Sequence, residues 1–304
     1  MVNRPWNFAS LATEKANPAT REIDRVSLTQ SIELILGEDR KIARAVQQAK
    51  GPLSKAVLLI SNSLRQGGRL FFVGAGTSGR LGVLEAAECP PTFNTPPSLV
   101  QAIMAGGPKA VFHSQEGAED RGDEAARQIS QRVRPGDVVV GIAASGVTPF
   151  VGEALKQAKQ LKARTVLVTC NPHPPRKQAD IVIAAYPGPE VISGSTRLKA
   201  GTCTKMMLNI LTTATMIRLG KVYGHWMVDL QPKSKKLQAR ALRLVMHLGE
   251  VDEKNAGRLI KEAHGHAKTA ILMARAHLSA EAAVSRLKKH QGFLRRALNH
   301  GGAS

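Results

Sequence analysis

Apolar and polar positions along the 304-residue chain fall into three regimes. Before Lys50 the apolar residues recur at helical spacing. Ser27-Leu28-Thr29-Gln30 opens a segment in which Ile32, Leu34, Ile35 and Leu36 alternate with acids, and Gly37 is expected to stop it. Lys41 to Gln48 and Leu53 to Leu64 continue the period, the second closing at Gly67-Gly68. From Arg69 to about Leu211 short apolar runs alternate with helix-length stretches: Leu70 to Val73, Ser98 to Met104, Asp137 to Ile142, Thr165 to Thr169 and Asp180 to Ala185. Strands separated by helices need crossover connections, so this pattern predicts an α/β fold with a doubly wound parallel five-stranded sheet flanked by helices. Beyond Asp229 the chain turns to Lys/Arg/Ala/Leu-rich helix, broken at Gly249, at Gly265 and at Ser279, which is placed to cap Ala280 onwards. The organisation expected is an N-terminal helical segment over 1–50, an α/β domain over 51–230 and a small C-terminal helical domain over 231–304.

Composition narrows the class. With 43% apolar residues the chain can bury a full α/β core. No apolar run has the length of a membrane span, and Met1 to Asp24 lacks one of signal-peptide length, so a soluble cytoplasmic protein is expected. Cys89, Cys170 and Cys203 have no CxxC spacing, which argues against a disulfide framework or a zinc site, and Cys89 reads as packing. The net charge of +20 raises the question of nucleic acid. Residues 231–304 hold 15 Lys and Arg against 5 Asp and Glu, so +10 of that charge is spread over helical periods of the tail. Aromatics are only 4%, leaving few platforms for bases, and the charge argues for a basic, solvated surface rather than a nucleic-acid partner. His264 and His266 are expected on a helix, where i,i+2 residues point to different faces, so no metal site is expected there.

The chemistry concentrates in Gly74-Ala75-Gly76-Thr77-Ser78-Gly79-Arg80, entered from an apolar strand and leaving through a helix. Glycines let the backbone turn sharply, and the helix aims free N–H groups and its positive dipole end at an anion. The spacing matches GxGxxG, but a dinucleotide site wants an acid about 20 residues on, and none stands between Glu88 and Glu116. Hydroxyls at Thr77 and Ser78 suit a phosphomonoester instead. A second strand, turn and helix follows at Val138 to Lys162, where Ser145, Gly146 and Thr148 offer further hydroxyls and N–H groups at the same carboxyl edge of the sheet. Glu88 sits beside Pro90-Pro91, which are expected to end its helix, and the negative dipole pole with burial is expected to favour its protonated form. Glu119, near the start of the helix running through Asp123 to Val133, is expected to stay ionised.

These residues strongly resemble the N-acetylmuramic acid 6-phosphate etherases, a sugar isomerase (SIS) fold family related to the glucokinase regulatory protein. The resemblance rests on Gly74 to Gly82 followed by Glu88-Cys89-Pro90-Pro91-Thr92-Phe93, and extends to Leu11-Ala12-Thr13-Glu14, Asn17-Pro18, Glu116-Gly117-Ala118-Glu119-Asp120, Gly141 to Gly146, Gly188 to Val191, Gly194 to Thr202, Asn209 and Met216 to Gly224. It covers most of residues 10 to 245 and implies an SIS-type sheet. Departures are Val147 where these etherases usually show Arg, Gln115 where Val is usual, and Ser234 in place of a common Asn.

The resemblance implies cleavage of the lactyl ether at C3 of the sugar phosphate, by elimination across C2 and C3 of the open-chain aldehyde and then addition of water, to give N-acetylglucosamine 6-phosphate and D-lactate. Such chemistry needs one base and one acid and calls for no cofactor. It points to Glu88 protonating lactate and later activating water, with Glu119 assisting. Gly76, Thr77, Ser78, Ser145, Gly146 and Thr148 are expected to hold the phosphate. Glu190 either lines the same pocket or caps a loop, and Ser195, with Ser193 and Thr196, either contacts the ligand or caps a helix. Glu85 is a surface residue or a rival acid, while Lys199 and Lys205 read as solvated charge. The fold family also implies a homodimer with its ligand site near the subunit boundary. The alternative function is a non-catalytic sugar-phosphate sensor; such a regulatory protein resembles two of these modules in tandem, whereas this chain carries one set.

Overall fold

In the computed structural model, which describes residues 11–174, 178–230, 232 and 234–299, the five apolar runs become strands β1 (Leu70–Gly74), β2 (Val100–Met104), β3 (Val138–Ile142), β4 (Arg164–Thr169) and β5 (Ile181–Ala184). All pair in parallel in the order β2-β1-β3-β4-β5. Leu70 stands beside both Val100 and Val138, so β1 is an inner strand with neighbours in register on each side, next to the central β3. β1 and β3 are buried along their whole length, which is why they read as continuous apolar runs rather than alternating ones. Arg69 and Asp137, one residue before each strand, lock their entry points: the Asp137 carboxylate accepts from the Arg69 backbone N–H at 2.8 Å and its guanidinium at 2.6 Å.

The helices of this part are α1 (Leu28–Asp39), α2 (Lys41–Gln48), α3 (Lys50–Arg65), α4 (Gly76–Phe93), the short α5 (Lys109–Phe112), α6 (Gly122–Arg132) and α7 (Pro149–Gln160), followed by α8 (Lys199–Arg218). Ser27 and Gln30 form a capping box at the start of α1. Two expected ends move. α1 runs through Gly37 to Asp39, because one glycine inside a helix costs only about 1 kcal/mol. α4 runs through Pro90 and Pro91 to Phe93 and ends where Asn94 turns left-handed at φ +51°. Proline keeps a helical φ but loses the N–H that would bond back and crowds the carbonyl one turn earlier, so the pair is accommodated only near the end and the helix stops within two residues.

Two compact units result. One takes in the chain to Ala87 and from Ser98 to Thr212, with a core around Phe71, Val139, Phe150 and Leu167. The other comprises Glu88–Pro97 and the chain from Thr213 onward. Its core gathers Leu244 and Val245 of α9 (Lys235–Gly249), Leu259 of α10 (Glu253–Glu262), Ile271 and Leu272 of α11 (Ala267–Ala276), Leu287 of α12 (Ala280–Lys289) and Leu294 of α13 (Leu294–Asn299). A small hairpin absent from the sequence expectation, β6 (Val222–Tyr223) with β7 (Trp226–Met227), precedes them; strands of two residues leave no periodicity to read. Ser279 caps α12 as expected, accepting from the Ala282 N–H. His264 and His266 sit exposed in the turn between α10 and α11 rather than on a helix, His264 at φ +50°.

All three cysteines are buried and unbridged. Cys170 and Cys203, 33 positions apart by number, meet in the core, where the hydrogen bond between them and then burial push the Cys170 thiol up. Among the described residues no helix is long and apolar enough to cross a membrane.

Candidate functional site

In the strand order, β1 and β3 are adjacent while their connections leave to opposite sides, which opens a crevice at their carboxyl ends. Two turns wall it. The first leaves β1 through Gly74-Ala75-Gly76, where Gly76 takes φ +53°, a backbone conformation that costs glycine little. Gly79 then passes so close under the turn that an added Cβ would come within 2.6 Å of the Gly74 carbonyl oxygen. The first N–H groups of α4, which have no partner within the helix, are thereby turned towards the crevice.

The second turn leaves β3 through Ala143 to Thr148 and is braced from the end of β4. The Thr169 hydroxyl donates to the Ala144 carbonyl at 3.0 Å, and the Asn171 amide donates to the Ser145 carbonyl at 2.8 Å. The Ser145 hydroxyl accepts from the Val147 N–H at 3.3 Å. Pro149 then starts α7, fixing the helical φ at its first position.

Between the turns lies a cavity of about 350 Å³. Of the residues expected at the site, Gly76, Thr77, Ser78, Ser145, Thr148 and Glu119 line it. Glu119 belongs to a short 3-10 turn, Ala118–Asp120, set just before the N-terminus of α6, as its position in the sequence implies. Its side chain is exposed to the cavity mouth and solvent rather than buried.

Four expected site residues stand elsewhere. Gly146 is buried beneath the second turn and contributes no lining surface. Glu190, 2% exposed, is the cap of α8: its two carboxylate oxygens accept from the Lys199 and Ala200 N–H groups at 2.9 and 2.8 Å. Burial pushes this carboxyl up, and the two N–H donors oppose that. Of the two readings left open for Glu190, capping is the one the geometry takes, because the unpaired donors of α8 claim both oxygens. Ser195 is half-buried and off the lining, while its neighbour Thr196 faces the cavity. Glu88 is exposed, about three turns along α4 from Gly76, and is absent from the described lining. The burial and helix-terminal position expected for Glu88 are therefore not found in the single chain.

The charges read as solvated or ambiguous also resolve differently. Lys199 is completely buried and pairs with Glu38, while its ammonium also donates to the Pro187 carbonyl at 3.3 Å. Burial pushes the Glu38 carboxyl up, but hydrogen bonds from Lys199, Lys41 and Asn17 outweigh it and bring it down to about 2. Glu85 is neither a surface group nor a cavity acid. It is buried, accepting from Lys205 at 2.9 Å and from the Thr212 hydroxyl at 2.5 Å. Lys205 is bonded to Asn209 as well.

Several lining residues carry no local signal of their role. Leu11, Thr13 and Glu14 arrive from the N-terminal segment, and Ser114, Gln115 and Glu116 from the loop before Glu119. Arg80, one turn into α4, completes the wall, its Nε donating to the Val111 carbonyl at 2.9 Å. The motifs Leu11 to Glu14 and Gly74 to Gly82 were the available pointers, since each contains a lining residue.

The arrangement offers helix N–H groups and the four hydroxyls of the two turns for an anion, with three carboxylates and one guanidinium around a small polar cavity. Residues 52–159 match the glucokinase regulatory protein N-terminal SIS domain, and residues 119–214 the SIS domain. The chain is 49% identical over 291 residues to the N-acetylmuramic acid 6-phosphate etherase of Gloeothece citriformis, covering 95% of each protein. It is 52% identical over 263 residues to that of Symbiobacterium thermophilum, covering 86% of this chain and 88% of the relative. Among solved structures, a phosphoheptose isomerase from Francisella tularensis aligns with 61% of this chain and 96% of its own at TM-score 0.46 and 16% identity.

Proposed function

The chain belongs to the family of N-acetylmuramic acid 6-phosphate etherases, and from that premise we infer that its crevice holds this sugar phosphate while the ether to D-lactate is broken, leaving N-acetylglucosamine 6-phosphate. It is an etherase, a carbon–oxygen lyase. The observation that carries the reading of the site is that Glu119 opens onto the same cavity as the α4 N-terminus and the hydroxyls of Thr77, Ser78, Ser145 and Thr148.

The phosphate takes the helix terminus and these hydroxyls, which are neutral donors matched to a monoester. Anchored there, the open-chain sugar presents its C2 proton, acidified by the C1 aldehyde. Glu119 removes that proton to give an enolate delocalised onto the C1 aldehyde, and the C3–O bond then breaks. Lactate leaves as a poor alkoxide unless it is protonated on oxygen, and Glu88 supplies the proton. The same pair then runs in reverse with water: Glu88 takes a proton from water as it adds at C3, and C2 is reprotonated.

Glu88 faces solvent in the single chain, and we bring it into the reaction through association of two copies, which would withdraw it from water. A homodimer is supported by Leu28, Ile32, Ile35 and Leu36, which form an exposed apolar stripe at i, i+4, i+7 and i+8 on α1. The setting we assign is the cytoplasm, in the salvage of peptidoglycan sugars, where phosphorylated substrates are retained.

Incubation with N-acetylmuramic acid 6-phosphate in oxygen-18 water tests the chemistry. D-lactate should appear, and the label should sit at C3 of the sugar product. Label in the lactate instead would replace elimination by direct displacement on the lactyl carbon, and binding without lactate release would make the protein a sugar-phosphate sensor.

A further inference from the structure

The substrate carries two anions, a phosphate and a lactyl carboxylate, whereas the sugar product keeps only the first. We propose that Arg80 binds the lactyl carboxylate and so distinguishes substrate from product; this rests on the reading of the cavity as the etherase site. The phosphate is provided for by the α4 N-terminus and four hydroxyls. The carboxylate is not: the charged groups of the described lining are Glu14, Glu116, Glu119 and one cation, Arg80. A second anion in this cavity is repelled by three carboxylates unless it lies against that guanidinium.

Arg80 is set for such a contact. It follows Gly76 by one helical turn, so both face the same side of α4. The Nε–H bond to the Val111 carbonyl is its one hydrogen bond among the described residues, and it forms no ion pair there. That bond holds the side chain against the short helix α5 and leaves the two terminal nitrogens for a ligand. Their parallel N–H groups match the two oxygens of a carboxylate, a geometry that lysine does not reproduce. Once the ether is broken, lactate takes this contact with it, and the sugar product is left held by its phosphate end alone.

The test compares ligands that differ only in the lactyl group. Arg80→Gln should raise the KM for N-acetylmuramic acid 6-phosphate by about 10- to 100-fold, the range for a lost charge-assisted pair, while the inhibition constant of N-acetylglucosamine 6-phosphate stays within about twofold. Equal weakening of both ligands would assign Arg80 to the phosphate or to the shape of the pocket, and no change in either would remove it from binding; each overturns the proposal. Should Arg80→Gln fail to fold, Arg80→Lys carries the same comparison, with a smaller rise in KM and an unchanged product constant expected and the same two outcomes overturning it. Thr77→Val with Ser145→Ala separates this from the site reading itself: if that variant leaves both ligands unaffected, the cavity is not the phosphate site and the failure lies there.

Discussion

Glu119 opens onto the cavity from a turn of three residues, with solvent access and no buried partner among the described residues. Its replacement by Gln keeps the shape and removes the base. Lactate release should then fall by about 10²- to 10⁴-fold, the usual contribution of a positioned proton acceptor, with product affinity retained. Solvent exchange of the C2 proton separates the two glutamates. Glu119→Gln should abolish the exchange, whereas Glu88→Gln should leave it and stop lactate release; the opposite pattern would interchange acid and base. The motif residues pointed to these two carboxylates, but not to their surroundings. Glu88 looks helix-terminal beside two prolines and is in fact exposed within a helix that continues to Phe93. Lys199 looks solvated and is sealed in, because Glu38, 161 positions away, comes to meet it.

That meeting belongs to the scale of elements. Glu38 near the end of α1 and Lys199 at the start of α8 form a buried pair, and Glu190 caps the same end of α8 through two backbone N–H groups. Together they hold the segment that delivers Thr196 to the cavity. The depressed Glu38 carboxyl makes the pair pH-dependent with a definite sign. Its stabilisation is complete above the unfolded carboxyl value of 4.5 and is lost as pH falls towards about 2. Glu38→Gln leaves Lys199 buried without its counter-ion and should cost about 3–5 kcal/mol near neutral pH. In denaturant titrations the gap between the wild type and this variant should narrow on acidification to about pH 3. A gap that stays constant would mean that ionised Glu38 is not what holds α1 to α8.

At the scale of the whole molecule the two carboxylates test the proposed dimer. If two copies complete each other, neither Glu88→Gln nor Glu119→Gln alone is active, but subunit exchange between them rebuilds one intact site in each mixed dimer. Activity should recover to about a quarter of wild type after statistical exchange, since half the dimers are mixed. No recovery from a demonstrably exchanged mixture would place both carboxylates within one chain. Ile32→Glu with Ile35→Glu on the α1 stripe should reduce the dimer to monomer on size exclusion and abolish lactate release with it.

The sequence alone determined the five parallel strands, the two glycine-bearing turns and the hydroxyls that ring them. Those features are local: a buried strand announces itself in four or five consecutive apolar residues, and a turn in its glycines. Tertiary structure decided the rest. Thr13 and Glu14 join the cavity wall, Glu190 is taken up by α8, and Lys199 is buried, all because segments far apart in the chain come together. Whether a charged side chain ends up solvated, paired or facing a ligand depends on what packs over it, and no spacing of neighbouring residues contains that information.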